Sequence, residues 1–401
     1  MQELTQQAVT AAPSFGLRKI APRACIAERP HVQDFFSEAL EELGFIARKY
    51  ETHDDIAALL AEYQPDVFVV GLSLGGVSAA QLLEMLSENQ HQGRVLVVGA
   101  PASLMANAVH NLGVDLGLNM LPLLPTPFSH EALRAILSDL LPREAPPNPV
   151  VDVAEALHAN WLELWYQPKV DIRSLSICGA EALIRLRHPT WGIVQPAAFL
   201  PDEHDPHFLT LSDYVLGQVV KDWNFFLNDY GHVELAVNLP MSFFAHANAI
   251  ERLTGQIPKH PSFQGAIVEI NGPDLIDNMS VAQSAAETLR FHNIAVSIND
   301  LGTEWPPLLE CDRFPFAEIK VDRSIVSGCA DDRLKQVVCR RILEFADSVG
   351  ARTVAVGVEN RADFVTVREL GFDVVQGFFL AKPMEARKFV RRVLRQPLQL
   401  S

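Results

Sequence analysis

Hydrophobic and polar positions along the first third of the chain alternate between two patterns. RACIA, FIARKY, DVFVVGL, RVLVVGA and GLNMLPLL are short apolar runs of strand type. VQDFFSEALEEL, DDIAALLAEY, AAQLLEML, LMANAVHNL and HEALRAILSDLL repeat apolar residues at helical spacing. Five strand and helix alternations predict an open parallel sheet covered on both faces. The stretch LPREAPPNPVVD, residues 141–152, then carries four prolines, which disfavour helix and stiffen an extended connection. The expected organisation is a first domain over 20–142, a proline-rich linker over 143–152 and a second domain over 153–401.

Beyond residue 160 the strand-type runs are LELWYQPKV, LSICGAEALIRL, HVELAVNL, GAIVEI, IAVSIN, FAEIKV, TVAVGV and DVVQGF. Eight strands suit a closed barrel. The first two are joined by DIRS alone, too short for a parallel crossover, so they are expected to run antiparallel. The others are separated by helix-length stretches such as LTLSDYVLGQVVKDWNFFLND and LKQVVCRRILEFADSVG, which fits parallel β/α units. The fold class is therefore α/β: a doubly wound sheet followed by a modified TIM-type β/α barrel with an antiparallel first strand.

Composition narrows the picture. With 48% hydrophobic residues the 401-residue chain can bury sizeable cores, and its net charge of −16 argues against loose binding to nucleic acid or anionic lipid. Cys25, Cys178, Cys311, Cys329 and Cys339 lack metal-type spacing and suit a reducing compartment. No run approaches the ~20 apolar residues of a membrane span, and the N-terminus lacks signal-peptide order. A cytoplasmic protein is expected.

Polar residues recur where the barrel strands end. Glu181, Asn238, Glu269, Asn299-Asp300, Lys320, Glu359 and Gln376 all lie at or near carboxyl ends of strands, where β/α barrels build their sites. Taken singly, each is read first as a strand-end cap or a solvated loop residue; their convergence on one rim argues for a site.

These residues carry a resemblance. Glu181-Ala182-Leu183 with Arg185 and Arg187-His188-Pro189, Tyr166-Gln167-Pro168, Asn238-Leu239, Glu269, Asp300-Leu301-Gly302-Thr303, Lys320-Val321-Asp322, Gly357-Val358-Glu359 and Gln376-Gly377 resemble the EAL domain, the family of cyclic di-GMP phosphodiesterases. A second Glu-Ala-Leu at 155–157 sits in an amphipathic helix before the first strand and is read as coincidence. The resemblance implies Mg2+ or Mn2+ held by Glu181, Asn238, Glu269 and the pair at 299 and 300. It also implies ligand contacts from Gln167, Glu181, Leu183, Arg185, Phe199, Pro201, Asn238, Asp322 and Gln376, with Lys320 steadying the attacking water and Glu359 in the catalytic set. For Arg185 a rim salt bridge with Glu181 or Glu269 is the other reading.

Three departures from the family pattern bear on chemistry. Asn299 stands where an acid bridges two metals, and an amide oxygen carries no charge and bridges poorly. Val356 replaces the catalytic glutamate, and valine can neither hold a proton nor orient a water. Gly272 replaces a glutamate that orders a neighbouring loop, so that loop is expected to be less constrained. Losing a general base costs about 10²–10⁴ in rate. Glu304, where the family has glycine, is a candidate replacement carboxylate, though a solvated loop charge is the plainer reading. The first domain resembles a flavodoxin-like response-regulator receiver, but Gly71 stands at the phosphorylated aspartate's place. Ala27-Glu28 replaces its acidic pair, Gly99 its hydroxyl residue, and Thr126 the lysine before Pro127.

The expectation is a pseudo-receiver joined to a degenerate EAL domain. It would be non-hydrolytic, binding cyclic di-GMP or a protein partner, without nucleic acid or membrane, and homodimeric. The alternative is an active metal-dependent phosphodiesterase that opens cyclic di-GMP to linear pGpG.

Overall fold

Alternation of apolar side chains within each strand determines how both halves of this molecule are built. The structure, a computed structural model, describes residues 21–395 except 29, 51–55, 57–59, 61–63, 75–76, 101–102, 127, 142–149, 203–204, 303–304 and 311–314. Most of the proline-rich linker, the helix DDIAALLAEY apart from Ile56 and Leu60, and Pro127, Glu304 and Cys311 lie outside the described residues. The chain divides into two compact units, residues 1–149 with 187–194, and residues 150–186 with 195–401.

The first unit runs β1 (Arg23–Ala27), α1 (Pro30–Glu42), β2 (Ile46–Lys49), β3 (Val67–Val70), α2 (Ala79–Glu88), β4 (Arg94–Gly99), α3 (Leu104–Asp115), β5 (Asn119–Met120), β6 (Leu124–Pro125) and α4 (His130–Ile136). Its strands pair in the order β2-β1-β3-β4-β5, with β6 also on β4, all parallel. Successive strand residues point to opposite faces. Ala24, Ile26, Val67, Val69, Leu96 and Val98 pack with Phe36 and Leu40 of α1 and Leu133 of α4. Cys25, Ala27, Phe68, Val70, Val95 and Val97 pack on the other face with Leu82, Leu83 and Leu86 of α2 and Val109 of α3. The run GLNMLPLL reads as one strand but forms two short pieces, because Pro122 between them has no N–H to donate to a ladder.

The second unit opens with α5 (Val153–His158), which contains the second Glu-Ala-Leu. Then follow β7 (Leu162–Asp171), β8 (Ile177–His188), α6 (Phe208–Asp229), β9 (Leu235–Asn238), β10 (Ala266–Asn271), α7 (Gly272–Asp277), α8 (Met279–Arg290), β11 (Ile294–Leu301), β12 (Glu318–Val321), α9 (Arg333–Val349), β13 (Arg352–Val356), α10 (Arg361–Leu370) and β14 (Val374–Gln376). Strands β8 to β14 are parallel neighbours in sequence order, and β7 closes the barrel antiparallel to both β14 and β8. A tight turn makes that reversal: Asp171 Oδ1 accepts from the backbone N–H groups of Arg173 at 3.1 Å and Ser174 at 2.7 Å. No helix among the described residues is long and apolar enough to cross a membrane.

Outward positions such as Val268, Ile270, Val296, Ile298, Ile319 and Val321 form the core under the helices. The positions between them face the barrel interior, and several are charged. Lys169, 1% exposed, donates to Glu318 Oε1 at 2.5 Å, and Ser297 Oγ donates to the same oxygen at 3.1 Å. Arg352 reaches the other oxygen of Glu318 at 2.7 Å and Glu234 at 2.8 Å. Each charge in this network has an opposite partner, as burial requires.

Two outcomes follow from these packed polar groups. Lys169→Met leaves Glu318 one cation short in a dry interior, so chemical denaturation is expected to show a loss of about 3–5 kcal/mol. An unchanged midpoint and slope would show that the network is dispensable. In the first unit, His91 is 4% exposed and donates from Nδ1 to Gln64 Oε1 at 3.0 Å. Burial lowers its pKa from 6.5 to about 4, against smaller upward pulls from Arg94 and Asp66. The unfolded chain takes up this proton near its ordinary pKa while the folded chain does not. The stability difference is therefore present above pH ~6.5 and is lost as pH falls through about 4. Thermal unfolding of the first unit between pH 7 and 4 should decline more steeply in the native chain than in His91→Gln.

Candidate functional site

One lysine holds together the polar residues that the strand pattern singles out. Lys320, on the interior face of β12 two residues beyond Glu318, places its ammonium 2.9 Å from Glu181 Oε2 and 2.6 Å from Glu269 Oε2. Burial opposes a charge there, yet the two carboxylates raise the lysine above its ordinary pKa and keep it protonated. Glu181 also accepts from Asn238 Nδ2 at 2.8 Å and Gln376 Nε2 at 2.7 Å. Gln376 shares its amide with Gln167 Oε1 at 3.1 Å, and Asn299 Nδ2 donates to Asn238 Oδ1 at 3.1 Å. Seven of the barrel's eight strands, β13 excepted, thus contribute to one hydrogen-bonded cluster through Gln167, Glu181, Asn238, Glu269, Asn299, Lys320 and Gln376.

The two glutamates are unequal. Burial works against charge on Glu181, but Lys320 and the hydrogen bonds from Lys320, Asn238 and Gln376 overcome it and hold the carboxyl at about 2. Burial raises Glu269 to about 8, reinforced by the neighbouring Glu181 charge and only partly offset by Lys320. Glu269 Oε1 and Asn299 Oδ1 are buried acceptors without a hydrogen-bond partner. Oxygens of that kind suit a hard divalent cation, with Glu181 and Asn238 beside them. Among the described residues, no three His, Cys, Asp or Glu side chains gather where they could hold a metal.

A β-bulge separates the members of the 299–300 pair. The register of β11 on β12 shifts between Ile298 and Leu301, and Asp300 takes a left-handed conformation at φ 53° that aspartate tolerates. Asn299 is consequently buried while Asp300 is exposed. Val356 lies at the end of β13 in register with Gln376 and presents only methyl groups. Glu359, three residues on, stands apart from the cluster, its carboxylate 2.8 Å from Arg323 on an exposed rim. Asp322 caps the short helix Arg323–Val326 by accepting from Ser324 N at 2.8 Å.

Gly272 itself lies at the start of a helix, which leaves the expectation about the neighbouring loop untested. It opens α7, whose N-terminus is capped by Asn271 accepting from Asp274 N, so the segment is helical. A Cβ at 272 would lie 3.2 Å from the Asn299 carbonyl oxygen and 3.3 Å from Leu301 Cδ1. The missing side chain has let the helix close onto β11.

Glu181, Leu183 and Arg185 alternate on one face of β8, opposite Gln167, Trp165 and Glu163 of β7. Arg185 is 9% exposed, and its guanidinium donates to the Ile184 carbonyl at 2.8 Å. Among the described residues no carboxylate lies within ion-pair distance of it, so the rim salt bridge weighed from the sequence is not formed. Phe199 is buried and Pro201 half-buried. Lys169, Ser297, Glu318 and Arg352 escaped notice as a set. Each lies two residues from a rim position or farther down the same interior face, and that parity is the signal that could have found them.

Comparison with known proteins agrees with this geometry. Residues 150–383 match the model of the EAL domain. MucR of Pseudomonas aeruginosa, described as a bifunctional diguanylate cyclase/cyclic di-GMP phosphodiesterase, is 31% identical over 248 residues, which are 60% of this chain and 36% of MucR. This chain therefore spans about a third of that relative's length. RocR of the same bacterium, a cyclic di-GMP phosphodiesterase, is 26% identical over 363 residues, covering 86% of this chain and 91% of RocR. The structure of the PaMucR phosphodiesterase in its c-di-GMP complex superposes with a TM-score of 0.56 at 29% identity, covering 59% of this chain and 97% of that one. With more than half of its length matched by the family model and its polar strand ends gathered on one barrel rim, the chain belongs to the EAL-domain family.

Proposed function

We propose that the barrel binds cyclic di-GMP at its rim without hydrolysing it, and that the chain acts as a cyclic di-GMP effector or protein-interaction regulator. The observation that carries this reading is Arg185: a buried guanidinium with no carboxylate within ion-pair distance among the described residues, on the same strand face as Glu181, whose charge acts on it from farther off. Such a group favours an anionic ligand, and its planar fork suits a phosphate. Relatives described as cyclic di-GMP phosphodiesterases, and a related structure holding c-di-GMP, name the anion. Gln167, Leu183, Phe199, Pro201, Asp322 and Gln376 are the remaining proposed contacts.

Absence of turnover rests on what the rim lacks. Val356 offers no base, Asn299 no charge for bridging two cations, and Glu359 is engaged by Arg323. Lys320 already supplies positive charge between Glu181 and Glu269, so nucleotide binding does not depend on a metal. Where Mg2+ or Mn2+ binds, Glu269 Oε1 and Asn299 Oδ1, with Glu181 and Asn238, would hold one cation, which supplies charge neutralisation at a phosphate. Those two unpaired oxygens favour the second reading, a slow phosphodiesterase working with one metal. In the first unit, the parallel order β2-β1-β3-β4-β5 supports a flavodoxin-like receiver fold, and Gly71 in place of the phosphorylated aspartate favours a role in docking or dimerisation over phosphotransfer.

Titration calorimetry with cyclic di-GMP in EDTA is expected to show binding that Arg185→Ala weakens by about 10- to 100-fold, the worth of a charge-assisted hydrogen bond. No heat of binding by the native chain, with or without Mn2+, would leave only the protein-interaction role. Hydrolysis is a separate readout, and turnover of the native chain with Mg2+ or Mn2+ at the rate of active relatives would favour the second reading. Asn299→Asp combined with Val356→Glu should produce pGpG above the native background. Adding Gly272→Glu should lower the melting temperature, because its Cβ has to displace the Asn299 backbone or Leu301.

A further inference from the structure

In the first unit, β1 and β3 are parallel neighbours at the point where strand order reverses, and doubly wound sheets take their ligands in the crevice at the carboxyl ends of such strands. Ala27 pairs with Val70, and Gly71 N donates to the Ala27 carbonyl at 3.0 Å, so Glu28 and Gly71 emerge side by side at this crevice. Glu28 is 6% exposed and has interaction partners of its own. An ideal Cβ on Gly71 would lie 1.2 Å from Glu28 Oε2 and 2.1 Å from its carboxyl carbon. The glutamate head therefore occupies the volume that any residue-71 side chain would need.

Backbone conformation does not explain the glycine. Gly71 is not among the residues with positive φ, so its backbone suits an L-amino acid. Only space excludes a side chain, and Glu28 is what fills the space. We infer that Glu28 and Gly71 form an intramolecular plug that seals the switch-point crevice of the first unit. With the plug in place this unit takes no small ligand or covalent group at the end of β3, and it admits a side chain there only when the Glu28 head leaves that volume. The inference stands apart from the reading of the barrel rim.

A mutant cycle in the full-length chain tests it, with Gly71→Ala, Glu28→Ala and the double variant followed by hydrogen–deuterium exchange over residues 24–28 and 67–71. Gly71→Ala is expected to speed exchange of these amides at least about tenfold, because the glutamate must leave its buried seat. The double variant should return to within about threefold of the native rate, since the new methyl enters vacated space. Gly71→Asp should behave as Gly71→Ala does and likewise be rescued by Glu28→Ala. Native-like exchange in Gly71→Ala, or a double variant as fast as the two single effects combined, would overturn the plug. If Gly71→Ala does not fold at all, recovery of a folded, protected first unit in the double variant carries the same information, and failure of that recovery overturns it.

Discussion

The ammonium of Lys320, held between Glu181 and Glu269, is the interaction on which the barrel's carboxyl end depends. Two carboxyl groups confined in a dry barrel cannot both ionise without a cation, and the lysine is that cation. Its presence lets Glu181 remain charged, which in turn fixes the amides of Asn238 and Gln376 and, through them, Asn299 and Gln167. The arrangement is close to self-satisfied. Among the described residues, what remains open includes a few acceptor oxygens and Arg185, which has no carboxylate within ion-pair distance. A rim built in this way is held in shape by its own ion pairs and hydrogen bonds, and burial leaves Glu269 with a carboxyl raised to about 8.

Beneath this rim the same barrel interior carries a second charged network, Lys169–Glu318–Arg352–Glu234, and the two differ in a telling way. In the lower one each charge meets an opposite charge and nothing is left to offer a ligand. In the upper one partners are missing where a ligand would supply them. Buried polar groups thus divide by satisfaction: complete networks support the barrel, and incomplete ones mark the site. The first unit follows the same logic by opposite means, since the crevice at its strand ends is filled by its own glutamate.

Much of this was legible in the residue pattern. Strand and helix alternation, the reversal at Asp171–Ser176 and the convergence of polar strand ends all follow from local rules of periodicity and chain length. Less legible were features set by distance across the barrel. That a Cβ at Gly272 would come within 3.2 Å of the Asn299 carbonyl oxygen could not be read from residue identity. GLNMLPLL promised one strand, and Pro122 divided it. Glu359 belonged to the row of strand-end acids on spacing alone, but its reach ends at Arg323. Lys169 and Glu318, separated by 149 positions, gave no sequence sign that they touch at 2.5 Å.

Sequence by itself determined the chemistry available: which carboxylates, amides and cations stand at the strand ends, and that Asn299, Val356 and Gly272 replace acids there. Those are properties of single positions, and residue identity suffices to read them. Tertiary structure decided which groups are already spoken for. Whether Lys320 neutralises Glu181 and Glu269, whether Arg185 has a partner, and whether Gly71 leaves a hole or houses Glu28 depend on through-space distances between strands far apart in the chain. Hydrogen bonds, ion pairs and steric clashes are decided by contact distances of a few ångströms, so only the closed barrel and the assembled sheet could settle them.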